Sequence, residues 1–374
     1  MDTTMRLADD PTVVQRIFDH IDNKTTDLGD GTWREPVEHY RSEARFAAER
    51  NLVLRRYPIP FCPSAALPTS GSYVARDAAG TPLLAVRGSD GAVRVFRNAC
   101  RHRGTQLATG SGCEKAFACR YHGWTYGLDG RLRAVPHEQG FPGLDKSTRG
   151  LVPVEAVEAQ GLVFVTQDTP ALADARLDEL PPLLGPKHRL VGSNELELPA
   201  NWKILVEGFL EGYHIRSTHP ESFYPVQFDN LNVVERFGRN NRITFPYRAV
   251  NKLRDVPAAE RSADGKLTYV YHLFPNVMIA TFPARTIMVV LEPLAIDRTR
   301  MVNYLLTDRD EKDADAQSAL KRGGEFVSVG AIEDQDVACA IQRSIGSGAN
   351  EWFEFGLFEA AIVHFHRTLR AALG

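Results

Sequence analysis

Long apolar runs are missing from this 374-residue chain. None approaches the roughly 20 residues that a bilayer-spanning helix requires, so no transmembrane anchor is expected. The N-terminal MDTTMRLADDPTVV lacks a basic stretch followed by an apolar core, so no secretory leader is expected either. Neither sign of charge is in excess. The chain has 44 Lys and Arg against 47 Asp and Glu, net −3, which leaves no electrostatic footprint for nucleic acid. Cysteine is scarce: five residues, an odd number without regular pairing, make no disulfide framework. There is no G-x-G-x-x-G after a strand-like run, and so no sign of a dinucleotide cofactor. A plant-type ferredoxin cysteine set is also lacking. What is left is a cytoplasmic protein with reduced thiols. Its 43% hydrophobic and 24% charged residues suffice for a real core, and its length allows two domains.

The character of the chain changes along its length. Residues 1–50 are rich in charge and Ala, as in VEHYRSEARFAAERNLVL, and read as helix. Residues 51–165 hold short β-like runs (GSYVAR, PLLAVR, AVRVFRN, LVFVTQ) between turn signals such as SDG and LDGR, the pattern of a small all-β domain. PALADARLDELPPLLGP reads as a connector. In residues 166–374, NWKILVEGFLEGYHI is helical in composition. RITFPYRAV, LTYVYHLF, VMIATF, RTIMVVLEPL and RMVNYLLT read as successive antiparallel strands, and the last stretch returns to helix. The second half is therefore α+β, one antiparallel sheet with helices against it.

Two clusters carry chemistry. The first is NACRHRGTQLATGSGCEKAFACRYHGWTYGLDG, with Cys100-x-His102 and Cys119-x2-His122. Two Cys and two His suit zinc, but zinc sites space their paired ligands by two to four residues, and C-x-H is tighter. A [2Fe–2S] centre of the Rieske type needs two thiolates on one iron and two imidazoles on the other. Interleaved pairs on adjacent loops meet that need, since each loop gives one ligand to each iron. Cys62, Cys113 and Cys339 lie outside the pattern and read as buried or loop residues.

The second cluster is EGFLEGYHIRSTHP. Glu211 and His214 are i,i+3 neighbours on a helical face. His214 and His219 are five apart, about 140° on a regular helix, so they share a metal only if the helix is irregular. Pro220 supplies a reason, because it pushes His219 out of the α region; a π-bulge is the other route. A 2-His-1-carboxylate site for oxygen-activating Fe(II) needs a third ligand. VGAIEDQDVACAIQRSI offers Glu333, Asp334 and Asp336. Asp334 falls in phase with Val337, Ala338, Ile341 and Ile345 on one apolar stripe, whereas Glu333 and Asp336 fall off it. A carboxylate on a core face must be paired or metal-bound, and a helix cap or solvated face is the plain alternative. Glu207 is a supporting partner or an exposed residue. His272, His364 and His366 read as packed residues, and Asn201-Trp202-Lys203 as structural.

CRHRG and CRYHGW, together with NWK and Glu-x2-His-x4-His, resemble the α subunit of Rieske non-heme iron oxygenases over nearly the whole chain. The resemblance implies a helical N-terminal segment on the catalytic domain, a Rieske domain at 51–165 and a helix-grip catalytic domain at 166–374. It implies a [2Fe–2S] cluster on Cys100, His102, Cys119 and His122, with a potential of roughly −150 to +300 mV. It also implies a mononuclear Fe(II) on His214, His219 and Asp334, the Asp of a Glu-Asp pair. Electrons come from NAD(P)H through a separate reductase, with or without a ferredoxin, and the subunits form a head-to-tail homotrimer. At the position of Glu211 most relatives have aspartate, which bridges an iron ligand and a Rieske histidine of the neighbouring subunit. Glutamate there resembles the carnitine oxygenases. The expected outcome is hydroxylation or dihydroxylation of a small aromatic or hydrophobic compound. The alternative is oxidative demethylation or C–N cleavage of a quaternary ammonium compound; an aromatic cage can hold such a cation, and Phe223, Tyr224, Tyr269 and Tyr271 are available for one. A Rieske electron carrier without oxygenase activity is a distant third reading.

Overall fold

The computed structural model describes residues 7–168, 177, 180–310, 312 and 314–374, of which 314–317 and 319–326 are described by backbone alone. Most of the expected connector lies outside the described residues. The chain divides into two compact units, one of residues 54–190 and one of residues 1–53 with 191–374.

In the first unit, seven antiparallel strands follow the spatial order Ile59–Pro63, Leu162–Thr166, Pro153–Ala159, Val93–Arg97, Thr81–Arg87, Ser72–Ala78 and Gly110–Cys113. A small sheet of Phe117–Ala118, Thr125–Tyr126 and Leu132–Ala134 accompanies them. Cys100 and Cys119 are buried in one cluster with Phe96, Phe117, Trp124 and Tyr126. Both thiols therefore sit in the core of this unit, at the roots of two loops.

The other unit is built on a second seven-stranded antiparallel sheet. Its spatial order is Arg189–Leu198, Arg298–Thr307, Arg285–Ala295, Val277–Phe282, Leu267–Leu273, Asn240–Pro246 and Val233–Phe237. Side chains alternate between its faces. One face carries α1 (Asp10–Asn23), which Asp9 caps by accepting from the Thr12 N–H, with Pro11 in the first turn. Val13, Val14, Ile17 and Phe18 of α1 bury against Val233, Leu267 and Tyr269, at about 1.5–3 kcal/mol for each large side chain. The opposite face carries α3 (Trp202–Gly208) and α6 (Ala360–Leu373). Phe365 of α6 meets both Trp202 of α3 at 5.7 Å and His272 of the sheet at 5.5 Å. Two short helices, α2 (Glu43–Ala48) and α4 (Ile215–Thr218), and the long α5 (Ala314–Ile345) complete the set. A strand pair that composition did not suggest, Trp33–Pro36 with Trp352–Phe355, ties the N-terminal segment to the C-terminal one.

What seats α3 is a buried ion pair. Asn201 caps it by accepting from the Lys203 N–H at 3.0 Å. The Lys203 ammonium is wholly buried and donates to Glu49 Oε2 at 2.9 Å; Trp202 Nε1 donates to the same oxygen at 3.1 Å, and Arg45 to the other at 3.0 Å. Burial pulls the Lys203 pKa down, and the Glu49 charge works against that. Glu207, at the far end of α3, is buried as well and accepts from Tyr40 Oη at 2.6 Å and from His366 Nε2 at 2.9 Å. It is a packed polar group of the helix rather than an exposed one. Removing the carboxylate that faces a buried ammonium leaves the charge uncompensated, which costs about 3–5 kcal/mol. Glu49→Ala is therefore expected to lose about that much stability in urea unfolding, and a loss below about 1 kcal/mol would show that other groups replace Glu49.

Candidate metal centres

The two Cys/His loops of the first unit have one plan. Gly104 N–H donates to Cys100 O and Cys100 N–H to Thr105 O, both at 2.9 Å; Gly123 N–H donates to Cys119 O and Cys119 N–H to Trp124 O, both at 2.8 Å. Gly104 and Gly123 both have positive φ (83° and 72°), the conformation that lets each loop turn back tightly after its histidine. The thiols point inward, where Cys100 Sγ lies 3.4 Å from Tyr126 Oη. Burial would push the Cys119 thiol up, but hydrogen bonds from the Tyr121 and His122 N–H groups and contacts with Cys100 and Thr105 outweigh it and hold the thiol below its usual range. The imidazoles lie toward the surface, His102 and His122 with ring centroids 4.6 Å apart, and His102 stacked on Trp124 at 4.9 Å.

These four side chains do not close on a single point. Among the described residues, His214, His219 and Asp334 are the only set of three or more His, Cys or carboxylate groups whose ligand atoms all lie within 4.8 Å of one another. Bonds of about 2.0–2.3 Å to one tetrahedral zinc would bring every donor pair within about 4 Å. A thiol end and an imidazole end set apart suit a two-iron cluster instead.

In the other unit, α3 stops at Gly208, short of the helix expected through His214. The chain turns at Gly212, where a Cβ would come within 2.4 Å of the Asn232 side chain and force it away from Thr244 O, to which it donates at 3.1 Å. His214 and His219 then stand at the two ends of the one-turn α4, His219 with φ −116° and ψ 45° ahead of Pro220. Their ring centroids are 5.2 Å apart. The 140° problem is resolved by breaking the helix on both sides of α4.

Each imidazole is turned by a carboxylate on its Nδ1. His214 Nδ1 bonds Glu211 Oε1, and Glu211 Oε2 also accepts from the Tyr213 and His214 N–H groups. His219 Nδ1 bonds Glu333 Oε2 at 2.7 Å, and Ser222 Oγ donates to the same oxygen at 2.5 Å. The Nε2 atoms both face Asp334 Oδ1, at 3.5 Å from His214 and 3.0 Å from His219. His219 Nε2 is buried, and its 3.0 Å contact with Asp334 Oδ1 is not aligned as a hydrogen bond. Burial alone would lower the His214 pKa, yet its bonds to Asp334 and Glu211 hold it at about 10. Three carboxylates around two imidazoles thus make a site that favours positive charge. Two Nε2 atoms and one carboxylate oxygen are the donor set of a mononuclear Fe(II) triad.

The stripe used to choose among the three acids is only partly inward. Ala338 and Ile345 are buried, but Val337 is 43% exposed. Asp336 is exposed. Glu333, which the stripe set aside, is the residue that sequence reasoning missed. It sits next to Asp334 and straddles His219 from the other side. Nor do the four aromatics form a cage. Tyr269 and Tyr271 lie on the α1 face, where Tyr269 Oη donates to Asp10 at 2.8 Å and the Arg242 guanidinium covers both rings. Tyr224 packs with Arg216 and Arg248. Only Phe223 reaches the site, 4.6 Å from His219 and against Gly330, where any Cβ would strike its ring.

Residues 57–153 match the Rieske [2Fe-2S] domain, and residues 187–374 match the catalytic domain of the ring hydroxylating alpha subunit. The oxygenase subunit of carnitine monooxygenase from Acinetobacter pittii (strain PHEA-2) is 32% identical over 335 residues, 85% of this chain and 86% of that one. The oxygenase subunit of glycine betaine monooxygenase from Chromohalobacter salexigens is 31% identical, covering 87% of this chain and 83% of its own. The solved structure of a quaternary ammonium Rieske monooxygenase, described for carnitine oxidation by gut microbiota and inter-subunit electron transfer, superposes with a TM-score of 0.78 at 21% identity over 100% of both chains. The chain belongs to the ring-hydroxylating Rieske oxygenases.

This Rieske oxygenase is an oxidoreductase that consumes O2. It carries a [2Fe–2S] cluster and a mononuclear iron, and it takes its electrons from a separate reductase. None of its described helices is long and apolar enough to cross a membrane. The Glu333 contacts generate a test. Removing the outer partner of a ligating histidine typically costs 10–100-fold in metal affinity. Glu333→Gln is expected to bind Co(II), used as a probe, about 10–100-fold more weakly in the iron-stripped triad, with the visible spectrum of the cluster unchanged. Unaltered Co(II) affinity would mean that Ser222 and the protein around it orient His219 without Glu333.

Proposed function

We propose that this oxygenase acts on a small quaternary ammonium compound, oxidising it at carbon beside nitrogen so that the C–N bond is cleaved. The observation that carries this reading is that relatives aligned across more than four-fifths of the chain are carnitine and glycine betaine monooxygenase subunits. Glu211, in place of the aspartate usual in the family, agrees with it. In this reading Cys100, Cys119, His102 and His122 hold the cluster, thiols on one iron and imidazoles on the other. His214, His219 and Asp334 hold the mononuclear iron. That iron, when bound, supplies oxygen activation with electrons relayed from the cluster. Glu211 keeps the Nδ1 proton of His214 and so fixes Nε2 as the donor. It also stands as the bridge to a Rieske histidine of the next subunit in a cytoplasmic head-to-tail homotrimer. Phe223 shields His219 from water on one side. An aromatic hydrocarbon as substrate is the weaker reading, since the relatives aligned over most of the chain are oxygenases of carnitine and glycine betaine.

The test is substrate-stimulated O2 uptake with a surrogate reductase, with carnitine, glycine betaine, choline, benzoate and naphthalene as candidates. Uptake with trimethylammonium compounds, matched by a released amine or aldehyde, is expected. Uptake with the aromatic compounds alone would overturn the reading.

A further inference from the structure

Helix α5 meets the segment that carries His219 on one face. Gly330, Glu333 and Asp334 stand at i, i+3 and i+4, neighbours on the helix surface. All three face residues 219–223. His219 bonds Glu333 through Nδ1 and faces Asp334 with Nε2, and Ser222 Oγ donates to Glu333. The Phe223 ring lies on Gly330, where a Cβ would come within 2.9 Å of its Cε1, Cε2 and Cζ atoms. The ring therefore fills the place of the missing side chain. The backbone does not call for glycine at this point. Gly330 lies inside α5 without a positive φ, and glycine inside a helix is less favourable than alanine. It is buried, whereas Val329 and Ile332 beside it are half-exposed. The ring is held as well. Its centroid is 4.6 Å from that of His219. The Phe223 carbonyl accepts from the Val226 and Gln227 N–H groups at 3.0 and 2.9 Å, and the Tyr224 N–H donates to His219 O at 3.0 Å.

A carboxylate side chain can follow a small slide of its helix by changing rotamer. A ring seated against backbone cannot, because close-packed groups transmit a displacement instead of absorbing it. We propose that Phe223 and Gly330 are a knob and notch that set the register of α5, and so aim Asp334 at the two Nε2 atoms before any metal arrives. One residue along a helix is about 1.5 Å of rise and 100° of turn, enough to bring Glu333 or Gln335 where Asp334 stands. A side chain at position 330 would press the ring onto His219 or push Asp334 away. Neither Gly330 nor Phe223 offers a metal donor, so both are positioning residues. The inference rests on His214, His219 and Asp334 as the ligand set and is independent of the substrate.

The experiment measures Co(II) binding to the iron-stripped triad, with the cluster in place and oxidised, by calorimetry and by the EPR signal of the bound ion. Gly330→Ala is expected to bind about 10-fold more weakly, with a changed EPR signal. Adding Phe223→Leu, whose side chain ends at Cδ and so lacks the three carbons that meet the new Cβ, should restore most of the affinity and the signal. A glycine needed only for the packing of α5 would show no such recovery. Phe223→Leu alone leaves the notch unfilled and should weaken binding by less than Gly330→Ala does; it carries the test if the alanine variant does not fold. Unchanged affinity and signal in Gly330→Ala and in Phe223→Leu, or no recovery in the double variant, would overturn the knob and notch. Wild-type Co(II) binding that survives Asp334→Ala would instead remove the ligand set, and the inference with it.

Discussion

Everything at the triad depends on how two imidazoles are turned. A histidine offers a metal whichever ring nitrogen its other partner leaves free. Glu211 takes the Nδ1 of His214 and Glu333 takes the Nδ1 of His219, so both Nε2 atoms point the same way, toward Asp334. The backbone makes this possible by interruption. A continuous helix would splay the two rings, and the chain avoids that by ending α3 at Gly208 and allowing α4 a single turn before Pro220. The local cost of a broken helix is offset by the buried anchoring of α3 itself. Its capped start, its Lys203–Glu49 pair and the Glu207–His366 contact hold the element that leads into the site.

The two centres solve opposite problems. In the Cys/His loops, the tight turns through Gly104 and Gly123 pull each thiol into a dry core and leave the imidazoles outward, which separates the two ligand types. In the triad, unlike groups from distant positions must converge, so side-chain carboxylates rather than loop geometry do the orienting. This difference explains how legible each was. The cluster loops are short-range objects, and C-x-H with C-x2-H already states their plan. The strands were legible for the same reason, since LTYVYHLF, VMIATF and RTIMVVLEPL alternate over a few residues and pair with their neighbours in order.

What the sequence hid was long-range. Helical phase treats a residue as facing in or out, but the triad meets α5 at its edge. Glu333 and Asp334 are about 100° apart on the helix, and both reach His219, one at Nδ1 and one at Nε2. Val337 showed the same weakness in the other direction, apolar yet exposed. The aromatic cage failed because composition does not say which sheet face a tyrosine occupies. Tyr269 and Tyr271 alternate with His272 across the sheet and fall on the α1 side. The Trp33–Pro36 pairing with Trp352–Phe355 joins segments more than 300 residues apart, beyond the reach of any local pattern.

Charge placement accounts for the triad itself. It gathers three carboxylates around two imidazoles, an excess of negative charge that a bound cation balances. Asp334 supplies the anionic donor, while Glu211 and Glu333 hold their histidines from outside, so the charges that attract the metal also orient its ligands.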